Sequence, residues 1–165
     1  MKRRILVLVL SILLIAATVI APVSASAASR KSVAIMKVTV NGARVRKGPS
    51  SNYGIITSVK KGAKVFYLGK HKKSFYLVRT SHGKVGYMYK GFLKSYGACY
   101  EDQIYRLKKS TPLFKKASTR SVRKVAKLGK GLHVIVYQTK GKWAYVKTMS
   151  GKGGYVKKKL LKKVG

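Results

Sequence analysis

Acidic side chains are almost missing. The 165 residues hold 2 Asp plus Glu against 38 Lys plus Arg, a formal net charge of +36. Carboxylate chemistry needs two acids at a fixed separation, or one acid orienting a histidine. Glu101 and Asp102 are adjacent in sequence and offer neither arrangement. Carboxylate-ligated Ca²⁺ or Mg²⁺ sites fail for the same reason. Cysteine is scarcer still, since Cys99 stands alone; that excludes an intramolecular disulfide and every multi-cysteine zinc pattern. No metal or cofactor is expected. What is present is 46% hydrophobic residues, too many for a basic disordered tail, so a folded core is expected.

The N-terminus carries an address. Met1-Lys2-Arg3-Arg4 is a charged start, and the following run to Val23 is apolar apart from Ser11 and Thr18, with Pro22 near its end. Ala25-Ser26-Ala27 then supplies an A-x-A cleavage pattern. Together these form a secretory signal peptide over residues 1–27, cleaved after Ala27. The alternative is an uncleaved anchor, because the apolar run is nearly long enough to span a bilayer. No cysteine follows the run, which speaks against lipid attachment there. Export makes ribosomes or chromosomal DNA poor explanations of the charge.

The rest of the chain repeats itself. Val78-Arg79-Thr80-Ser81-His82-Gly83-Lys84-Val85-Gly86-Tyr87-Met88 recurs as Val146-Lys147-Thr148-Met149-Ser150-Gly151-Lys152-Gly153-Gly154-Tyr155-Val156. Leu93-Lys94 likewise matches Leu161-Lys162. An internal repeat of this kind marks two copies of one unit. The units cover residues 33–96 and 104–164, with residues 97–103 joining them.

Each unit reads as short strands between Gly, Lys and Ser turns. Met36, Val38 and Val40 alternate with polar residues, and Val65-Phe66-Tyr67-Leu68 and Phe75-Tyr76-Leu77-Val78 are β-branched or aromatic runs of strand length. Residues 132–137, 143–146 and 154–156 repeat the pattern. Outside the leader no window carries a helical apolar stripe. The expected class is all-β, with two small half-open barrels in tandem after the signal peptide. Gly86 and Gly154, each just before a strand Tyr, mark a bulge or a close packing contact.

In the first unit, Ala43-Arg44-Val45-Arg46-Lys47-Gly48-Pro49-Ser50 leads to Lys60-Lys61-Gly62-Ala63-Lys64-Val65 and then to Gly83-Lys84-Val85-Gly86-Tyr87-Met88. This order of landmarks resembles the bacterial SH3 (SH3b) family, with its N-V-R-x-G-P-S segment, K-G-x-x-V strand start, W-x-x-V strand and G-W/Y-V strand. Ala43, Arg44 and Phe75 depart from the usual Leu, Asn and Trp. The second unit keeps Lys130-Gly131, Trp143-x-x-Val146 and Gly154-Tyr155-Val156, but shows Lys115-Lys116-Ala117-Ser118 in place of R-x-G-P. The resemblance implies SH3-like barrels, the second divergent, in a secreted, non-catalytic module that binds the cell wall and usually accompanies a wall hydrolase. Its partners would be peptidoglycan and anionic wall polymers. Arg46, in the R-x-G-P segment, becomes a ligand candidate.

Two further residue classes stand out. All 11 tyrosines lie beyond the leader, and an aromatic ring stacks on a sugar face or a peptide while its hydroxyl hydrogen-bonds. Tyr53, Tyr76, Tyr87, Tyr89, Tyr145 and Tyr155 are the candidates, weighed against simple filling of two small cores. Tyr87 and Tyr89 share one strand face with Val85; if that face is the core, only Tyr89 reaches the rim. Trp143 reads as core. The lysine clusters Lys60-Lys61, Lys72-Lys73 and Lys157-Lys158-Lys159 are candidates for polyanion binding. Without acids their charges repel one another, and a polyanion that releases its counterions would offset that repulsion. Anionic membrane and extracellular DNA are the alternatives to wall polymers.

Catalysis has little to stand on. Ser81-His82-Gly83 resembles the S-H-G-C motif of L,D-transpeptidases, but Lys84 stands where the nucleophilic Cys belongs, and the repeat marks the segment as a hairpin. Cys99 has no evident histidine partner, so a minimal wall hydrolase is the weakest reading. As a lone exported cysteine it is a candidate for a disulfide-linked dimer. His133 reads as a strand residue whose ring is satisfied.

Overall fold

The computed structural model describes residues 29–72, 74–120 and 124–164. Residues 1–27, expected to be a signal peptide, and Lys73 lie outside the described residues. Among the described residues no helix is long and apolar enough to cross a membrane. The architecture is all-β, with short 3-10 turns between some strands.

The first sheet is built from β1 (Ser32–Val38), β2 (Ala43–Arg46), β3 (Ile55–Val59), β4 (Lys64–Lys72), β5 (Phe75–Arg79), β6 (Val85–Tyr89) and β7 (Leu93–Tyr100). The second comprises β8 (Ile104–Leu107), β9 (Thr111–Phe114), β10 (Lys124–Leu128), β11 (His133–Lys140), β12 (Trp143–Thr148), β13 (Gly153–Lys157) and β14 (Leu161–Lys163). Their antiparallel orders are β3-β2-β6-β5-β4-β1-β7 and β10-β9-β13-β12-β11-β8-β14. Strand for strand these are the same order, so the sequence repeat corresponds to a repeated topology.

Each sheet curls around its own apolar core. Val38, Ala43, Val45, Val65, Val78 and Met88 fill the first; Leu107, Leu113, Val134, Ala144, Val146 and Val156 are among those filling the second. Period-two alternation places them, because successive strand side chains point to opposite faces. Gly86 and Gly154 sit where strands cross closely. A Cβ there would come within 2.5 Å of the Arg46 carbonyl oxygen and 2.6 Å of the Phe114 carbonyl oxygen, respectively.

A third apolar cluster joins the two sheets. Val33, Ile35, Phe66 and Cys99 of the first pack with Ile104, Ile135 and Met149 of the second. Val65 and Phe66 are consecutive in β4 and both have 0% exposure. Opposite faces of one strand are therefore covered, one by the first core and the other by the second sheet. β11 shows the same thing over His133, Val134, Ile135 and Val136, all buried. Full burial of a side chain such as Phe66 is worth roughly 1.5–3 kcal/mol, so the joint has the character of a core.

The connection differs from the expected joining segment at 97–103. Gly97, Ala98, Cys99 and Tyr100 continue β7 and pair with Ile35, Ala34, Val33 and Ser32. Only the 3-10 turn Glu101–Gln103 lies between the sheets. Both acids of the chain sit in that turn and are engaged: Arg30 forks onto Asp102 at 2.8–3.1 Å, and Lys31 reaches Glu101 at 3.1 Å. The Arg30 hydrogen bonds and charge hold the Asp102 carboxyl below its usual range. The remaining cations have no acidic side chain left to pair with.

Candidate binding grooves

Equivalent grooves open on the two sheets. In the first, the paired strands β5 and β6 set Phe75 opposite Tyr89. Tyr89 meets Phe75 edge-on at 5.8 Å and Phe92 at 5.2 Å between ring centroids. Arg44, Arg46, Asn41 and Ser51 complete an open groove of ≈ 470 Å³. In the second, β12 and β13 set Trp143 opposite Lys157, and Trp143, Lys157, Lys158, Lys159 and Thr119 line a groove of ≈ 720 Å³. The backbone repeats as well: the Lys90 N–H donates to the Ser74 carbonyl at 2.8 Å, and the Lys158 N–H to the Lys142 carbonyl at 2.9 Å. Each bond ties a 3-10 turn to the residue before the groove aromatic.

Strand alternation explains the exposure. In β6 the core takes Gly86 and Met88, leaving Val85, Tyr87 and Tyr89 on the outer face. The Tyr87–Tyr89 face is therefore the one turned from the core, and Tyr89 stays 41% exposed. Trp143 is likewise not core: Ala144 and Val146 point inward, and Trp143 is half-buried beside Phe114 at 5.6 Å. Phe114 pairs with Tyr155, and Tyr155 meets Tyr145 at 5.2 Å. Trp143, Phe114, Tyr155 and Tyr145 thus form an aromatic strip next to the second groove.

The other expected site residues separate. Arg46 lines the first groove, and its Nη1 donates to the Tyr53 carbonyl at 2.7 Å. Tyr53 itself is 49% exposed, lies over Gly48 and does not line that groove. Tyr76 packs on the first core and against Tyr67 at 4.8 Å, which makes it a structural ring. Lys60, Lys61 and Lys72 are exposed at a turn and a strand end, away from either groove. Lys157, Lys158 and Lys159 are brought together on Trp143.

Sequence reasoning missed Arg44, Phe92 and the pairing of Phe75 with Trp143. A signal existed, since Phe75 and Trp143 occupy the same place in the repeat. Its meaning depends on which strand face is outside.

Cys99 is sealed in the cluster between the sheets. Burial, and to a smaller degree the Asp102 charge, push its thiol up to about 11. An interchain disulfide needs an accessible thiolate, so the folded protein does not present Cys99 for dimer formation. His133 also departs from expectation. It is buried, and its Nδ1 has no hydrogen-bond partner. Burial is the main cause holding its imidazole pKa below the ordinary value, with Arg79 and Arg106 adding to it. Among the described residues no group of three or more His, Cys, Asp or Glu side chains is placed to hold a metal.

With this geometry in view, residues 41–94 match the protein-family model for the bacterial SH3 domain. The matched segment spans β2 to β6 of the first sheet. A search of curated proteins returned no match. Among solved structures, the chain is similar to NlpC2 from Trichomonas vaginalis at 14% identity and a TM-score of 0.34, covering 79% of this chain and 48% of that one. NlpC1 from the same organism is similar at 16% identity and a TM-score of 0.34, covering 81% and 47%. The chain spans about half the length of those two structures.

Proposed function

We propose that the protein is an exported, non-catalytic binder of the bacterial cell envelope. The observation that carries this reading is the pair of equivalent grooves, each an aromatic ring bordered by cations. In the first groove, Phe75, Tyr89 and Phe92 offer ring faces and edges for a glycan or stem peptide, while Arg44 and Arg46 fork onto its carboxylates. In the second, Trp143 takes a ring face, and Lys157, Lys158 and Lys159 attract phosphate-bearing polymer as point charges. The bacterial SH3 match at residues 41–94 supports a wall-binding role. The signal-peptide pattern supports export.

Binding without catalysis fits the side chains on offer. Glu101 and Asp102 are exposed or half-buried and engaged by Lys31 and Arg30. The Cys99 thiol is pushed out of the range in which a nucleophile operates at neutral pH.

The test is co-sedimentation with purified wall sacculi, with and without their anionic polymers, across a salt series. Binding to stripped sacculi that persists at about 1 M salt, where charge is nearly fully screened, is the expected result. Complete loss at high salt, with equal binding to any polyanion, would replace this reading with non-specific polyanion capture. Clearing of a cell-wall zymogram would replace it with a hydrolase.

A further inference from the structure

The joint between the barrels holds a second feature. Arg79 and His82 of the first sheet converge with Arg106, His133, Lys162 and Lys163 of the second on a cleft of ≈ 440 Å³. Among the described residues no carboxylate side chain lines it. Asp102, whose ionisation Lys163 favours, is already held by Arg30. His133 is only 4% exposed, and its Nδ1 is buried without a partner. A buried polar atom of that kind costs stability unless something fills the position. The contact is built closely: the Ser81 carbonyl accepts the His133 N–H at 2.8 Å, and a Cβ on Gly83 would fall 2.7 Å from His133 Cε1.

We propose that this cleft is a phosphate site, taking one phosphate group of a flexible phosphodiester polymer. Two guanidinium forks from different barrels suit a tetrahedral oxyanion, which each can bind in bidentate fashion. Lys162 and Lys163 add point charges, and the His133 ring forms part of the cleft lining. An anion here would offset the repulsion among cations that nothing on the chain compensates. A flexible chain bends to bring one phosphate onto groups carried by both barrels, whereas a stiff duplex holds its phosphates at fixed positions. The site needs both barrels and is separate from the two grooves. It rests on the envelope reading only for the source of the polymer.

The test uses the full chain with ¹⁵N-labelled histidine. Inorganic phosphate should shift the His133 ring resonances saturably, and a glycerol-phosphate oligomer should produce the same shifts at lower concentration. Arg79→Gln with Arg106→Gln, and separately Lys162→Gln with Lys163→Gln, should each weaken the oligomer at least tenfold. The second pair is exposed and safeguards the test if the first fails to fold. Lys94→Gln with Lys124→Gln removes equal charge from outside the cleft and should change affinity less than twofold. Equal losses in all three variants, or no shift at His133, would overturn the site. Equal or stronger His133 shifts with vesicles of phosphatidylglycerol in phosphatidylcholine, or with duplex DNA, would overturn the assignment to a flexible polymer. Intact phosphate binding with no sacculus binding would leave the site standing and remove the envelope reading.

Discussion

The backbone N–H of His133 donates to the carbonyl of Ser81 at 2.8 Å, tying an inner strand of the second sheet to a hairpin turn of the first. Around that bond the sheets share a buried cluster that includes Phe66, Ile135 and Met149. Two barrels joined this way depend on each other for covered surface. Each keeps its own core, and the shared cluster couples the two.

Unfolding should therefore be a single transition. Trp143 is the only tryptophan and lies in the second barrel, so its fluorescence reports on that barrel alone. Phe66→Ala, made in the first barrel, should lower the Trp143-monitored stability by about 3–5 kcal/mol, the usual cost of removing a buried Phe. A Trp143 midpoint that does not move in denaturant would show that the barrels unfold independently.

Much of this architecture can be read from the residues, and the boundary is instructive. The Val78–Met88 repeat and the alternation in Met36, Val38 and Val40 identify two copies of a strand-rich unit, because period two needs no knowledge of partners. Val65-Phe66-Tyr67-Leu68 and the run at His133-Val134-Ile135-Val136 read as strands. A continuous apolar run does not say what covers its second face. For that reason the joint, the burial of Cys99 and the orphaned His133 Nδ1 were not legible. The grooves were half legible. Arg46, Tyr89 and Lys157–159 carried recognisable chemistry, whereas Trp143 and Phe75 depended on which face of β5 and β12 looks outward.

The grooves should weaken separately. Tyr89→Ala in the first and Trp143→Ala in the second each remove the ring on which a ligand stacks. Each should reduce sacculus affinity by up to roughly tenfold, corresponding to about 1.4 kcal/mol. Tyr76→Ala removes a ring packed on the first core, and should lower the melting temperature while leaving the affinity of the folded fraction unchanged. Sedimentation isotherms beside thermal melts distinguish these outcomes. Equal affinity losses for Tyr76 and Tyr89 variants would argue against the first groove.

Cys99 makes a prediction at alkaline pH. Its thiol is pushed up from an ordinary 9.0 to about 11 in the folded chain. The folded state therefore holds the proton more tightly than the unfolded state. Stability from the protonated thiol is complete below pH 9 and is lost as the pH rises toward 11. Denaturation at pH 7, 9 and 10.5 should show a decline that is shallower in Cys99→Ala, which removes this titration and leaves those of the lysines and tyrosines. Thiol-specific labelling at pH 8 should be slow in the folded protein and fast in denaturant. Fast native labelling would contradict the burial.

Gly83 and Gly151 form a matched pair for measuring the joint itself. They occupy the same hairpin position in the two units, with φ of 80° and 91°, in the left-handed region where a side chain is strained. At Gly151 the nearest atom to an added Cβ is the Lys64 Nζ at 4.0 Å, the tip of a flexible chain. Gly151→Ala should then cost only the backbone strain, about 1–3 kcal/mol. At Gly83 the same methyl would lie 2.7 Å from His133 Cε1, and His133 is fixed in β11 by its bond to Ser81. Gly83→Ala must pay that strain and also displace the ring. Its loss of stability in chemical denaturation should exceed that of Gly151→Ala, and the excess should shrink in a His133→Ala background. Equal costs at the two glycines would mean that the hairpin of the first barrel does not bear on the second.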